Sequence, residues 1–497
     1  MKHLRRPPIR TSTALLATCS VLTLACAGAL LCGEMARGAA LAAPSPLVHV
    51  HAATARPRPM NGSGSEPAET VLYSFQAGGD AIEPFGNLIA DATGALYGTS
   101  VEGGGGPCNT AVLGYDGCGA VFKLTPTASG YAESVIYPFQ AGNDGDDPQS
   151  GLLADSSGAL YGTTVQGGGS KCKRVHAVVG CGTVYKLTPT ASGYTESVLY
   201  RFHGKSDGAA PLAALIAGAG GRLYGVTDEG GDTPCQDGCG TVFALTPSAS
   251  GYTESILYRF AGGTDGSYPI GGLIAGSGGA LYGTTGWGGS TSACPGSRDV
   301  HIEGCGVVFK LTPTGSGYTE SILYRFQGGS DGNLPTASLI ADASGALYGT
   351  TVGGGVSKCG DAYGCGTVFK LAPSGSSYLE SILYRFRGDR RDGSDPSTSL
   401  TAGANGVLYG TTTFGGTSFS CPGAGKPRGC GTVFALTPSG SGYTESILHH
   451  FQGGDADGAH PYASVLLMNG NLFGTTYTGG TGPCGPGECG TVYELSP

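Results

Sequence analysis

TASLIADASGALYGTTVGG (Thr336–Gly354), GCGTVFKLAP (Gly364–Pro373) and SYLESILYRF (Ser377–Phe386) make up most of the fifth of seven near-copies in this chain, and their reading decides the fold. Each holds a short apolar run, alternating or continuous, bounded by Gly, Pro, Asp or Ser, which is the pattern of strands rather than helices. Four such runs stand out per copy: SLIA, LYGTT, GTVF and ESILYRF. The last run carries the pattern Glu-x-x-x-Tyr-x-Phe, which starts at Glu69, Glu133, Glu196, Glu254, Glu320 and Glu380, with a variant at Glu445, at intervals of 58 to 66 residues. Four short antiparallel strands recurring at a fixed period are the signature of a β-propeller blade.

Strand order within the blade then gives a topology. If a blade runs SLIA (inner), LYGTT, GTVF and ESILYRF (outer), Glu69–Phe75 is an outer strand with no blade before it. The last unit supplies only three strands and ends on GTVYELSP, Gly490–Pro497. The expectation is an all-β, seven-bladed propeller over residues 69–497, its ring closed by one N-terminal strand joined to three C-terminal strands. Closure removes the free sheet edge that an open array exposes. An open solenoid would want polar capping units, and neither end unit is unusually polar.

The repeated LYGTT (Leu347–Thr351) followed by GTVF (Gly366–Phe369), with drift such as LYGVT (Leu223–Thr227) and LFGTT (Leu472–Thr476), resembles the GloVer tandem repeat of exported bacterial proteins. That family is described as "choice-of-anchor" because its members carry varied C-terminal sorting tails. The resemblance covers residues 69–497 and implies export, but no established activity. This sequence departs from the family in showing no C-terminal tail, which puts surface anchoring in doubt.

Composition agrees with short strands joined by turns. Glycine supplies 93 of the 497 residues and proline 29, yet charged residues are only 13%, and Tyr, Val and Leu recur at fixed offsets. A disordered chain would lack that period. The formal charge is −9, and it becomes −13 without residues 1–42, where 22 basic residues face 35 acidic ones. A phosphate-binding surface needs clustered Lys and Arg, so nucleic acid is excluded as an expected partner.

The N-terminus differs from the rest. MKHLRRPPIR is basic, Thr11–Leu31 is uncharged and rich in Ala and Leu, and Ala40-Leu41-Ala42 offers small residues for a signal peptidase. Residues 1–42 read as an export signal cleaved near Ala42. An uncleaved anchor, or a lipid attached at Cys26 or Cys32, stays open. Pro7 and Pro8 spoil a twin-arginine signal. Residues 43–68 are rich in Ala, Pro, Ser and Gly and read as a flexible linker. The mature protein is expected in the envelope or outside the cell, as a monomer, without a membrane span unless the signal is retained.

Of 17 cysteines, Cys19, Cys26 and Cys32 lie in the signal. The others fall as one pair per repeat between LYGTT and GTVF: Cys108 with Cys118, Cys172 with Cys181, Cys235 with Cys239, Cys294 with Cys305, Cys359 with Cys365, Cys421 with Cys430, and Cys484 with Cys489. Two cysteines per loop are too few for a zinc site. Seven local disulfides suit an exported chain. In a blade, the loop between the second and third strands shares a face with the connection from the outer strand to the next inner strand. Length variation is concentrated there, which marks a binding face, although loops also vary where nothing depends on them.

No catalytic motif is present: G-x-S-x-G, H-E-x-x-H and a phosphate-binding loop are all missing. No catalytic residue, cofactor or resident metal is assigned. DGDD (Asp144–Asp147) and DADG (Asp455–Gly458) have the carboxylates for calcium, but an Asp-Gly pair at the same place in most copies suits a turn. The scattered histidines read as surface residues. The LYGTT tyrosines (Tyr97, Tyr161, Tyr224, Tyr282, Tyr348, Tyr409) read as packing between blades. Trp287, His301, Tyr363 and Arg428, all in or beside disulfide loops, are the candidate exposed ligand contacts. Units alike in their strands and unlike in one set of loops suit recognition better than proton transfer. The functional expectation is a non-catalytic binding or interaction module taking neutral or cationic partners, such as a polysaccharide or an envelope protein. A structural envelope protein and a polysaccharide hydrolase or lyase are the alternatives.

Overall fold

In every copy the glycine of the LYGTT run stands directly across from the aromatic residue of the GTVF run. Gly349 pairs in register with Phe369, and a Cβ at Gly349 would come within 2.6 Å of Phe369 Cζ. Residue 349 must therefore lack a side chain, because the tip of the phenyl ring, Cζ and Cε1, stands where a Cβ would be. The same pairing unites Gly98 with Phe122, Gly162 with Tyr185 and Gly474 with Tyr493.

The computed structural model describes residues 67–497 apart from 111–114, 171, 173–179, 236, 290–293, 295–303, 316, 357–358, 360–363, 419–420, 422–428 and 485–488. The expected export signal lies outside the described residues, as does all but the end of the linker. Among the described residues no helix is long and apolar enough to cross a membrane. Apart from three short 3-10 turns, the regular structure is strand.

The fifth blade shows the unit: Ile340–Ala341, Leu347–Thr351, Thr367–Ser374 and Ser377–Arg385 pair in that order, all antiparallel. The runs SLIA, LYGTT and ESILYRF mark three of these, the first shortened to Ile340–Ala341, and the third strand extends GTVF through Ser374. Burial grades across the sheet. The third strand is almost wholly buried in its first half, while the outer strand alternates exposed and half-buried positions. Seven sheets of this kind give the all-β propeller. The first carries an additional short strand, Ala81–Pro84, along Leu96–Gly103.

The seventh blade is composite. Leu466–Met468, Asn471–Thr476 and Thr491–Ser496 come from the C-terminal unit, and Ala68–Ser74 completes the sheet, with Ala68 opposite Ser496 and Ser74 opposite Thr491.

The blades are joined by one repeated contact. The Phe that follows each outer strand meets the third-strand aromatic of the next blade edge to face, at 5.0–5.1 Å between centroids. One of these seven pairs, Phe75 with Phe122, joins the composite seventh blade to the first. Such geometry is worth ~0.5–1.5 kcal/mol per pair beyond area burial. The apolar core accordingly divides into seven clusters, each shared by two neighbouring blades rather than enclosed in one. The LYGTT tyrosines join them: Tyr97 packs with Leu152, Leu160 and Tyr185 of the second blade, and its hydroxyl donates to Asp91 at 2.9 Å.

The two threonines of LYGTT have separate tasks. The first reaches across to the neighbouring blade: Thr99, Thr284, Thr350 and Thr411 donate to the carbonyls of Ser150, Ala337, Thr398 and Ala463. The second pairs with the threonine that begins the third strand, as Thr351 does with Thr367 at 2.8 Å.

All seven cysteine pairs are joined as disulfides, with Cα–Cα distances of 5.0–5.5 Å and sequence separations of 4 to 11. Each closes a short loop, for which chain entropy gives roughly 2–3 kcal/mol. Seven disulfides fit an oxidising environment, since thiols are kept reduced in the cytosol.

Candidate functional site

Two sets of loops meet on one face, as the strand order requires. The connection that leads into the fourth blade pairs Gly266–Ser267 with Trp287–Gly288 at the end of the second strand. Equivalent two-stranded ribbons occur at Gly145–Asp146 with Gln166–Gly167, Gly393–Ser394 with Phe414–Gly415, and Gly458–Ala459 with Thr478–Gly479.

Each connection is folded around one aspartate. Asp331 accepts from Gln327 N at 2.6 Å and from the Tyr324 hydroxyl at 2.8 Å. Asp144 does the same with Gln140 N and Tyr137, and Asp457 accepts from Gln452 N and Gly458 N at 2.7 Å each. In the two acidic stretches weighed for calcium, these aspartates hold turns together.

Three residues after that aspartate comes a left-handed residue that is not glycine. Glu83, Asp147, Ala210, Tyr268, Leu334, Asp395 and His460 all have φ between 55 and 61°. A non-glycine side chain there costs about 1–2 kcal/mol, so the backbone must be held from outside. The hold comes from the previous blade: the N–H of each donates to the carbonyl of that blade's second disulfide cysteine at 2.9–3.1 Å, as Glu83 does to Cys489 and His460 to Cys430. The disulfide that pins the carbonyl thereby positions the next blade's connection.

A fixed backbone with unlike side chains is a scaffold for a site. From the sixth blade round to the second, these positions hold Asp395, His460, Glu83 and Asp147, and the residues beyond the following proline are Ser397, Tyr462, Phe85 and Gln149. Phe85 stacks on Tyr462 at 5.1 Å and 13° between planes, and Tyr477 stands edge-on to Tyr462 at 5.3 Å. The Tyr477 hydroxyl donates to Glu83 Oε2 at 2.5 Å. Burial raises the Glu83 carboxyl and Asp147 raises it further, against the opposing pull of the Tyr477 hydrogen bond. Asp147 accepts from Gln149 at 3.0 Å and from Gln166 at 3.3 Å. Burial also raises the Tyr462 phenol, with the Asp395 and Glu83 charges adding to it. Asp146, beside Asp147, is buried and pushed up to about 7 by desolvation and then by Asp147. His460 is buried and bonded to Thr478 Oγ1 at 3.0 Å, and burial lowers its pKa. In the third to fifth blades the same positions hold Ala210, Tyr268 and Leu334, followed beyond the proline by Leu212, Ile270 and Thr336. The face is therefore polarised in charge: carboxylates at these positions occur in the sixth, first and second blades and in none of the third to fifth.

Of the candidate contacts read from the sequence, Trp287 lies on this face. It is half-buried rather than exposed and sits in a two-residue strand opposite Ser267 rather than in an irregular loop, because the second strand continues past LYGTT as a ribbon. His301, Tyr363 and Arg428 lie outside the described residues. Sequence reasoning missed the acidic and aromatic cluster. Its signal was the short variable stretch between Asp-Gly and the residue after Pro in each connection, where the copies differ most outside the disulfide loops.

The sequence profile of the Gloeobacter/Verrucomicrobia repeat matches residues 109–360, 297–424 and 361–497. No curated protein sequence matches the chain. Solved structures similar to it include a fungal alcohol oxidase of the AA5 family, 12% identical over 87% of this chain and 76% of that one at a TM-score of 0.47. A PL25 ulvan lyase is 11% identical over 86% and 96% of the two chains, at 0.42. A gluconolactonase from Xanthomonas campestris is 15% identical over 69% and 85%, at 0.37.

Proposed function

The chain belongs to the Gloeobacter/Verrucomicrobia repeat family, and from that premise and the polarised face we propose an exported, non-catalytic binding module that works through the disulfide-loop face. The observation that carries this reading is the contrast between frame and side chains. Seven connections share one left-handed backbone position and one hydrogen bond to a disulfide cysteine, while the residues mounted on them range from Glu83 and Asp395 to Tyr462 and Leu334. A rigid frame presenting unlike groups lowers the entropic cost of recognition.

The ligand class follows from the half that carries chemistry. Flat aromatic surfaces at Phe85, Tyr462 and Tyr477 suit the apolar faces of sugar rings, and the carboxyls of Glu83, Asp147 and Asp395 suit hydroxyl donors or a cationic group. A neutral or amino-bearing envelope polysaccharide, or a cationic segment of an envelope protein, fits both. Export is supported by the seven disulfides and the basic-then-apolar N-terminus. A polysaccharide lyase or hydrolase is the second reading, favoured by one contact: a carboxyl raised by burial and bonded to a phenol, as Glu83 and Tyr477 are, is a pair that can move a proton.

The test is a screen of the purified protein against polysaccharides and envelope fractions, with and without calcium, alongside Tyr462→Ala for the cluster and Trp287→Ala for the ribbon. Binding that weakens at least tenfold in Tyr462→Ala supports the site. Binding untouched by both substitutions and by scrambling of the disulfide loops refutes this choice of face. Release of unsaturated or reducing sugar that is lost in Tyr477→Phe would replace the binding reading with the enzymatic one.

A further inference from the structure

Seven blade interfaces each bring together three polar side chains on the outer rim, and one set differs from the rest. At six interfaces a tyrosine of the preceding blade donates to the aspartate of the connection, and a glutamate on the next outer strand faces that aspartate. Tyr324, Asp331 and Glu380 form one such set, and Tyr73, Asp80 and Glu133 another. At the seventh, the phenol is replaced by an imidazole, so that His449, Asp457 and Glu69 come together.

We propose that His449, Asp457 and Glu69 form a binding site for a divalent first-row transition metal of the zinc class, which ties the N-terminal strand to the sixth blade. One ligand atom from each of the three lies within 4.8 Å of the others. His449 Nε2 stands 3.3 and 3.2 Å from the two Asp457 oxygens, the ligand-to-ligand edge of a tetrahedron with bonds of about 2.0–2.1 Å. The Asp457 carboxylate is oriented by Gln452 N and Gly458 N, the kind of outer hydrogen bonding that fixes metal ligands, and each oxygen keeps a lone pair. Glu69 Oε1 is buried and accepts no hydrogen bond. The six other glutamates share that orphaned oxygen, and what sets this interface apart is the nitrogen donor. A phenol whose pKa is raised, as at Tyr324, does not ligate near neutral pH, whereas a neutral imidazole does. Two carboxylates and one imidazole leave a fourth position for water. The other grouping of metal-type side chains among the described residues, Cys108, Cys118 and Asp146, is disqualified because its two sulfurs are bonded to each other.

The position gives the ion a task. Glu69 lies on Ala68–Ser74, the strand that completes the seventh blade, while His449 and Asp457 belong to the sixth blade and the connection after it. A bound metal therefore adds a link to the strand held by the longest chain closure in the molecule.

The repeat itself supplies the control, since His449→Tyr restores the side chain found at the six other interfaces. The full protein, freed of metal by chelation, is melted with and without Zn2+, and Co2+ is followed by visible absorption. The wild type is expected to gain roughly 3 °C or more at saturating Zn2+, to lose the gain on renewed chelation, and to show a cobalt band. His449→Tyr is expected to melt like metal-free wild type with neither response, and Glu69→Gln to bind at least tenfold more weakly. A wild type indifferent to both ions would show that His449 and Asp457 form only a hydrogen-bonded pair. Equal responses in wild type and both variants would place the ion elsewhere. Either result overturns the proposal.

Discussion

Phe75, the residue after the N-terminal strand, packs edge to face against Phe122 of the first blade with centroids 5.0 Å apart. Both rings are fully buried, and the pair repeats the contact found between every other two blades. Phe75→Ala should therefore cost about 3–5 kcal/mol. Removing Glu69–Phe75 altogether should leave Thr491–Ser496 as an open edge and turn one cooperative melting transition into early, aggregating loss of structure. Differential scanning calorimetry checks both, and an unchanged transition in the deletion would refute the role given to that strand.

Gly349→Ala places a methyl 2.6 Å from Phe369 Cζ. Overpacking of this kind costs about 1–3 kcal/mol. The double variant Gly349→Ala/Phe369→Leu should recover part of the loss, because a shorter side chain clears the methyl. Denaturant melts of the two variants measure it.

The six Tyr-Asp-Glu sets predict a pH dependence with a definite sign. Burial first, and then the facing aspartate, raise Glu196, Glu254, Glu320, Glu380 and Glu445 from 4.5 to about 7, and Glu133 to about 8. The folded state thus holds these protons after the unfolded chain has released them. Their contribution is full below about 4.5 and drains away as pH rises through 7 to 8. Asp91, Asp155 and Asp342 act oppositely: held below 3.8 by hydrogen bonds from the Thr or Ser two residues on and from the LYGTT tyrosine, they lose their contribution in stronger acid. The melting temperature should peak near pH 4 and fall as pH rises to about 8, and Glu380→Gln should lessen that fall.

Reduction should loosen the face more than the ring. Cysteine pairs lie in the loops, whereas the seven aromatic contacts lie between sheets. Removing one pair, as in Cys359→Ser/Cys365→Ser, should cost at most roughly 2–3 kcal/mol, keep the β-sheet circular dichroism, and increase amide exchange at Asp395, whose N–H is held by the Cys365 carbonyl. Peptide mapping of the unreduced protein should recover seven local links and none between blades.

The repeats made much of this legible. Period and strand order gave the blades, the displaced outer strand gave the pairing of Ala68–Ser74 with Thr491–Ser496, and one cysteine pair per loop gave the disulfides. The left-handed residues stayed hidden because glycine, the usual sign of positive φ, is absent there. Ala210 and Leu334 look like ordinary loop residues until the hydrogen bond to a neighbouring blade's cysteine is seen. The Glu-x-x-x-Tyr-x-Phe pattern served as a marker of the period, while its chemistry depended on an aspartate in another blade's connection. The variable aromatic and acidic residues were passed over because each blade holds only one or two of them. The cluster forms only when three or four blades stand side by side.

Ala68 and Ser496 face each other across one strand pair, yet a ribosome makes them far apart in time. At about 5–20 residues per second, the first strand waits roughly 20–90 s for its partner to be synthesised. All that while Phe75 and a row of backbone amides are left to water, and the earlier blades can already assemble in order behind them. The first strand to appear is the last to be secured, so the interval between its appearance and its capture is the period in which this chain is most exposed to a chaperone, a protease or another copy of itself.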